Sequence, residues 1–192
     1  MPAGATPLDP DESAGLVPGH IATREQLDEW EADNILAGER WAARATRRRT
    51  ILDDAFVREL HRRMFERTWR WAGSYRTSEK NIGVAPERIA VEVRNLLEDV
   101  KVQLTGKVVP LDEIAAKFHH RLVSVHPFPN GNGHHSRLMT DLLLAANGAA
   151  PFTWGRGDLM HAGEAREKYL AALCAADARD FAPLLAFLRS GS

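Results

Sequence analysis

Apolar residues recur at intervals of three and four through most of this chain, and that spacing constrains its fold more than any other feature. Ile89, Val93, Leu96, Val100 and Leu104 form one such series; Leu111, Ile114, Phe118, Leu122 and Val125 form another. Side chains three and four apart share one face of an α-helix, and each stripe must be buried against another helix. Leu27, Trp30, Ala37 and Trp41 predict a helix over 23–45, opened by the capping pair Thr23 and Gln26. Phe56, Leu60 and Met64 predict a second after Asp53, with a stop near Gly73. Pro86 suits the first turn of the third. The fourth must end by Val125, because residues before Pro127 avoid the helical region. A fifth runs from about Asn132 to the stop signal Asn147-Gly148, and two amphipathic helices follow over about 159–176 and 180–189. Only "AGSYRTSEKNIGVAPE", residues 72–87, breaks the pattern; its alternation, glycines and proline read as an extended excursion or small hairpin. The expected class is all-α with one small extended insert.

The chain has 192 residues, of which 44% are hydrophobic, enough for one domain with a packed core. That domain is expected over 23–192, behind an extended arm over 1–22. Formal net charge is -1, which excludes a global field directed at nucleic acid. The basic run "RATRRRT", residues 44–50, reads as a solvated helix end. The single cysteine, Cys174, allows no internal disulfide and reads as a small buried helix residue rather than a nucleophile. The first twenty residues lack the apolar segment of a signal peptide, and no window reaches the ~20 apolar residues of a membrane span. The expected location is the cytoplasm, with no membrane association.

The chemistry concentrates in "HPFPNGNGHHSRL", residues 126–138. A helix ends there, a glycine-rich loop follows, and a new helix begins. The first N–H groups of a helix have no backbone acceptor, and the macrodipole adds partial positive charge, so the place attracts anions. Gly131 and Gly133 allow φ > 0 and close approach to a ligand. Arg137, one turn past Gly133, points to the same mouth and can grip phosphate oxygens in bidentate fashion. His126, across the loop, can take a proton at neutral pH. The segment can hold a polyphosphate and place a base beside it. It is not a Walker loop, which needs a lysine and a hydroxyl after the glycines.

His126, Phe128, Gly131, Asn132, Gly133 and Arg137 stand in the order and spacing of H-x-F-x-[D/E]-G-N-G-R-x-x-R, and the sequence thereby resembles the Fic (Fido) domain family. "EIAAKFHHRLVSV" before the motif and "RWAGSYRTSEKNIGV" upstream resemble the family's surroundings; "TPLDPDE" and "HIATREQLDEWEADNI" resemble its mobile mystery protein B subgroup. The resemblance implies a Fic-type helical bundle with a small β-hairpin flap. It implies a protein adenylyltransferase (AMPylase) that moves AMP from ATP, with Mg²⁺ or Mn²⁺, to a Ser, Thr or Tyr hydroxyl of a target protein. In that reading His126 is the base and Phe128 a core anchor. Gly131, Asn132 and Gly133 cradle the α- and β-phosphates, Arg137 holds the distal phosphates, and the flap residues Asn81, Ile82 and Gly83 pair with the target. Two positions depart from the signature. Asn130 stands where the family's metal-binding acid would be, and His134 replaces the first arginine. An uncharged amide predicts weaker metal binding, and His134 is expected to donate to phosphate, more strongly when protonated. The inhibitory glutamate of many Fic proteins has no clean copy here; the candidate is Glu31 in "DEWEADN". The subgroup resemblance further implies a helix-turn-helix partner protein and a toxin–antitoxin-like setting.

Three other readings compete. A catalytically weakened Fic-fold nucleotide- or partner-binding module is consistent with Asn130 and His134. A metal hydrolase would use His119, His120, His126, His134 and His135, but leaves the G-N-G-x-x-x-R order unexplained. A DNA-binding protein would use the arginine run, against the charge balance.

Overall fold

In a computed structural model, residues 15–191 are described apart from 22, 48, 158 and 160–162. The described residues form seven α-helices, α1 (Arg24–Ala45), α2 (Asp54–Phe65), α3 (Ile89–Gly106), α4 (Leu111–Val125), α5 (Asn132–Ala146), α6 (Glu164–Asp177) and α7 (Ala182–Arg189), and two short 3₁₀ turns. Consecutive helices pack as pairs, α1 on α2, α3 on α4, α4 on α5 and α6 on α7. Cross-contacts of α5 with α2 and α1, and of α4 with α7, place the α4–α5 junction at the centre of the bundle.

Local chemistry sets the helix ends. Thr23 Oγ1 accepts from Gln26 N, and Asp53 Oδ1 accepts from Phe56 N at 3.1 Å, so both N-termini are capped by side chains. Pro86 opens a single 3₁₀ turn (Pro86–Arg88) that leads into α3. The α5 C-terminus closes as expected, with Gly148 at φ 78 and Ala149 N donating to Leu144 O. The core is aromatic at its centre, where Trp69, Phe56, Phe65, Phe118 and Phe128 are fully buried.

Four expectations need correction. Helix α2 stops at Phe65 rather than near Gly73. Residues 66–74 form tight turns instead, because Trp69 is drawn into the core and stacks on Trp71, while Thr68 O and Arg70 N bond Val17 N and Gly15 O of the arm. The inward face of α1 includes buried Asn34, which pairs with Thr68 Oγ1 at 3.0 Å, whereas Ala37 is exposed. Cys174 is exposed, because Tyr169, Ala172, Leu173 and Ala176 form the buried face of α6.

The hairpin flap is the fourth. There is no strand among the described residues, and 77–84 is a loop of bends. The reason is Arg76, 3% exposed, whose guanidinium donates to Ser78 O at 2.9 Å and also to Val84 O and Val125 O. Ser78 O and Val84 O would otherwise be available to a strand partner. Part of the arm over 1–22, including "TPLDPDE", lies outside the described residues. No helix among those described is long and apolar enough to cross a membrane.

Candidate active site

His126 is the C-cap of α4 and lies in the left-handed region at φ 51. Pro127 follows and cannot continue the helix, so the chain turns sharply and buries Phe128. Phe128 N donates to Asn132 Oδ1 at 2.9 Å, and Asn132 Nδ2 donates to Phe128 O at 2.8 Å. Asn132 is therefore a clamp that closes the loop with both ends of its amide; what it can offer a ligand is main-chain N–H. Gly131 sits at φ 75, and a Cβ there would come within 2.5 Å of the Phe65 ring, so backbone and packing both demand glycine. Gly133 is different: it lies inside the first turn of α5, and a Cβ would meet only Arg137 Nη1 at 3.4 Å. Its value is room for that guanidinium rather than a positive φ.

The loop and the start of α5 form one wall of a cleft of about 280 Å³. His126, Asn130, Gly131, Asn132, Gly133, His134 and Arg137 all line it, together with Ile82 from the 77–84 loop and Arg166 and Tyr169 from α6. Val123, Leu159, Leu170 and Leu173 give it an apolar floor. The structure thus gathers the motif residues around one cavity and adds a cation and a phenol that sequence reading missed.

Of the flap residues, Ile82 reaches the cleft, and all three of Asn81, Ile82 and Gly83 are exposed. Gly83 has φ 104, and its Cα lies so near Arg76 and His126 that a Cβ would come within 2.8 Å of His126 Cβ. Arg76 also donates from Nε to His126 O at 2.7 Å. One buried guanidinium therefore ties the flap loop to the proposed base. The only sequence sign of it was a lone arginine in the one non-helical segment.

Electrostatics keep His126 neutral. Burial and the nearby Arg76 and Lys80 cations pull its pKa down to about 4. Its Nδ1 is buried with no hydrogen-bond partner among the described residues, which costs every form that carries a proton there, the imidazolium and also the neutral Nδ1–H tautomer in which Nε2 is the base. Nε2 is the nitrogen left for a substrate to reach.

Behind Arg137 lies a second network. Tyr169 OH and His119 Nε2 are 2.8 Å apart, and Arg137 hydrogen-bonds the same hydroxyl. An arginine only donates, so the phenol accepts from Arg137. Thr140 Oγ1 gives its proton to Ser136 O and lies 3.5 Å from His119 Nδ1, so Nδ1 carries the proton and the phenol donates to Nε2 of a neutral His119, whose pKa burial lowers to about 3.

The histidines do not converge on a metal. His119 is taken by Tyr169, His120 Nε2 by Asp177 at 2.8 Å and His135 Nε2 by Val57 O at 2.9 Å. No group of three or more His, Cys, Asp or Glu side chains suited to an ion occurs among the described residues. Asn130 fits a Mg²⁺ or Mn²⁺ ion poorly: it is uncharged, its Oδ1 already accepts from Gly131 N at 2.7 Å, and the described lining of the cleft contains no carboxylate. Glu31 lies elsewhere. Its Oε1 accepts from Trp69 Nε1 at 2.6 Å, and it lines a neighbouring groove shared with His134 rather than the cleft that holds Arg137.

The profile of the Fic/DOC family matches residues 51–144. Protein adenylyltransferase fic-1 of Caenorhabditis briggsae is 30% identical over 146 residues, 73% of this chain and 27% of that protein. The chain therefore spans about a quarter of the curated relatives it matches first. Among solved structures, Fic-1 (residues 134–508) from C. elegans superposes with a TM-score of 0.67 at 26% identity, covering 93% of this chain and 51% of that one. The N-terminal Fic domain of a cell filamentation protein from Bartonella quintana, solved with bound ADP, shares the fold with a TM-score of 0.66 at 19% identity, covering 89% of this chain and 86% of that one.

Proposed function

The chain belongs to the Fic/DOC family, and on that premise we propose that it is a Fic-type nucleotidyltransferase, moving AMP from ATP to a Ser, Thr or Tyr hydroxyl of a target protein. The observation that carries this reading is the meeting of His126, the Gly131 loop, the α5 N-terminus and Arg137 on one cleft. The relatives named as protein adenylyltransferases and the ADP seen in the Bartonella quintana domain support it.

The step is in-line displacement. His126 Nε2 takes the hydroxyl proton, the oxygen bonds to the α-phosphorus, the α–β bridging P–O bond breaks, and pyrophosphate leaves. Main-chain N–H groups at 131–134 and the α5 dipole hold the growing phosphate charge, and Arg137 holds the distal phosphates. A divalent ion brought by the nucleotide would supply charge neutralisation, with Asn130 the residue at its place; the roles of the protein's residues do not depend on it. Ile82 and the 77–84 loop present the target. We also assign to this reading the mobile mystery protein B affiliation and a helix-turn-helix partner, on the resemblance of 6–12 and 20–35, and a cytoplasmic location.

One observation favours a second reading, a nucleotide- or partner-binding module with little transfer: the cleft holds a weak base and its described lining has no carboxylate. ATP labelled at the α-phosphate separates the two. Transfer predicts labelled protein in lysate that disappears with His126→Ala, while that variant binds ADP as the parent does. ADP binding without label supports the module, and absence of both rejects the cradle itself.

A further inference from the structure

His61 is a buried titratable group packed against the motif loop that the proposed chemistry leaves unused. It lies on α2, is fully buried, and stacks on Phe128 with centroids 3.7 Å apart. Both ring nitrogens are engaged. Gly73 N donates to Nδ1 at 3.0 Å, so Nδ1 carries no proton. Nε2 must then carry it, and it lies 3.1 Å from Asn130 O, to which it donates. Only the neutral Nε2–H tautomer satisfies both partners.

The 130–131 peptide is trans, so the Asn130 carbonyl and the Gly131 N–H point in opposite directions. With the carbonyl held inward by His61, the N–H faces outward, where the cleft-lining Asn130 carboxamide oxygen takes it. Gly131, with φ 75 and no Cβ, is the residue here most able to swing that plane the other way.

We propose that His61 is a positioning residue that sets the 130–131 peptide plane and thereby aims the Gly131 amide at a nucleotide phosphate, the Asn130 carboxamide oxygen standing in that place until the phosphate displaces it. This rests on the reading of the loop as a phosphate cradle. Phe128 stacking and the Gly73 N–H lock the imidazole on its face and at Nδ1, so the aim is fixed before a ligand arrives, as preorganisation requires.

Two variants divide the roles of the ring. In His61→Gln the side-chain amide can still donate to Asn130 O but releases Gly73; in His61→Asn the carboxamide oxygen can still accept from Gly73 but cannot reach Asn130. With no ligand, the Gly131 amide resonance is expected to stay in place in the Gln variant and to shift in the Asn variant. With ADP as probe, the Asn variant is expected to bind about tenfold more weakly and the Gln variant within about threefold of the parent, with adenosine binding unchanged in both. Equal effects of the two variants, or effects that follow their melting temperatures, overturn the proposal. Should neither variant fold, long-range ¹H–¹⁵N spectra of the parent decide: an Nδ1–H tautomer overturns it, and an Nε2–H tautomer upholds the plane-setting bond. A parent protein that binds no ADP sinks the cradle reading instead, and the ligand-free Gly131 resonance still tests His61.

Discussion

At the scale of single residues, the site works by fixing protons and planes. His126 is held neutral by burial and by Arg76 and Lys80, which makes it ready to accept a proton but a weak base. Arg137 is steadied by the Tyr169 hydroxyl, itself anchored on His119. A guanidinium held this way loses little freedom when it binds phosphate. Replacing Arg137 with alanine is expected to weaken ATP binding by about tenfold to a hundredfold, the range of a lost charge-assisted contact, and to weaken AMP binding much less. Calorimetric titrations of both nucleotides check the difference. His126, Gly131 and Arg137 were legible in the sequence because they sit within twelve residues in a fixed order. His61, Arg76, Tyr169 and Arg166 were not, since each reaches the loop or its cleft from a distant segment and no spacing rule links them to it.

At the scale of elements, the junction between α4 and α5 is rigid because its neighbours hold its carbonyls. Arg76 alone serves Ser78 O, Val84 O, Val125 O and His126 O. Arg76→Ala would leave Val84 O and His126 O without this donor, while Val125 O keeps Val84 N and exposed Ser78 can turn to water, and a loss of roughly 3 kcal/mol is expected from the unsatisfied groups. The effect should be local first: amide exchange over 77–84 rises before the helices melt, which hydrogen-exchange mass spectrometry resolves. The same residue explains why the expected hairpin is a loop. A pattern of alternation and glycine reports that a segment is not helical; it does not report which donor its carbonyls will find. Helix ends were more legible, because Thr23, Asp53, Pro86, Pro127 and Gly148 act on their own neighbours. Helix α2 ran short of its expected stop for the opposite reason: Trp69 and Thr68 answer to α1 and the arm, not to α2.

At the scale of the whole molecule, the core contains histidines that must stay neutral. His61 and His135 are fully buried, as is His119; burial lowers all three, to about 3 for His119 and about 4 for His135. His126 moves the same way. In the unfolded chain each takes a proton near pH 6.5. Below that value the unfolded state binds more protons than the folded one, so stability is lost as pH falls. Asp141 opposes this, since burial raises its carboxyl to about 6 and the folded state then holds the extra proton. Four histidines outweigh one carboxyl. Urea midpoints are expected to hold between pH 8 and pH 7 and to drop steadily between about pH 6 and pH 4; a flat profile through that range would contradict the burial of these rings.

The sequence by itself determined the class of the fold, the order of the helices, most of their ends, and the short motif that joins α4 to α5. Those features follow from periodicity, proline and glycine, which act over one or two turns of chain. The tertiary structure alone decided that Asn132 clamps its own loop, that Gly133 makes room instead of turning the chain, and that His61 holds the Asn130 carbonyl while Arg76 holds that of His126. The last two contacts join residues 69 and 50 positions apart, and a buried polar group finds its partner only when packing has fixed which donors and acceptors are left without water.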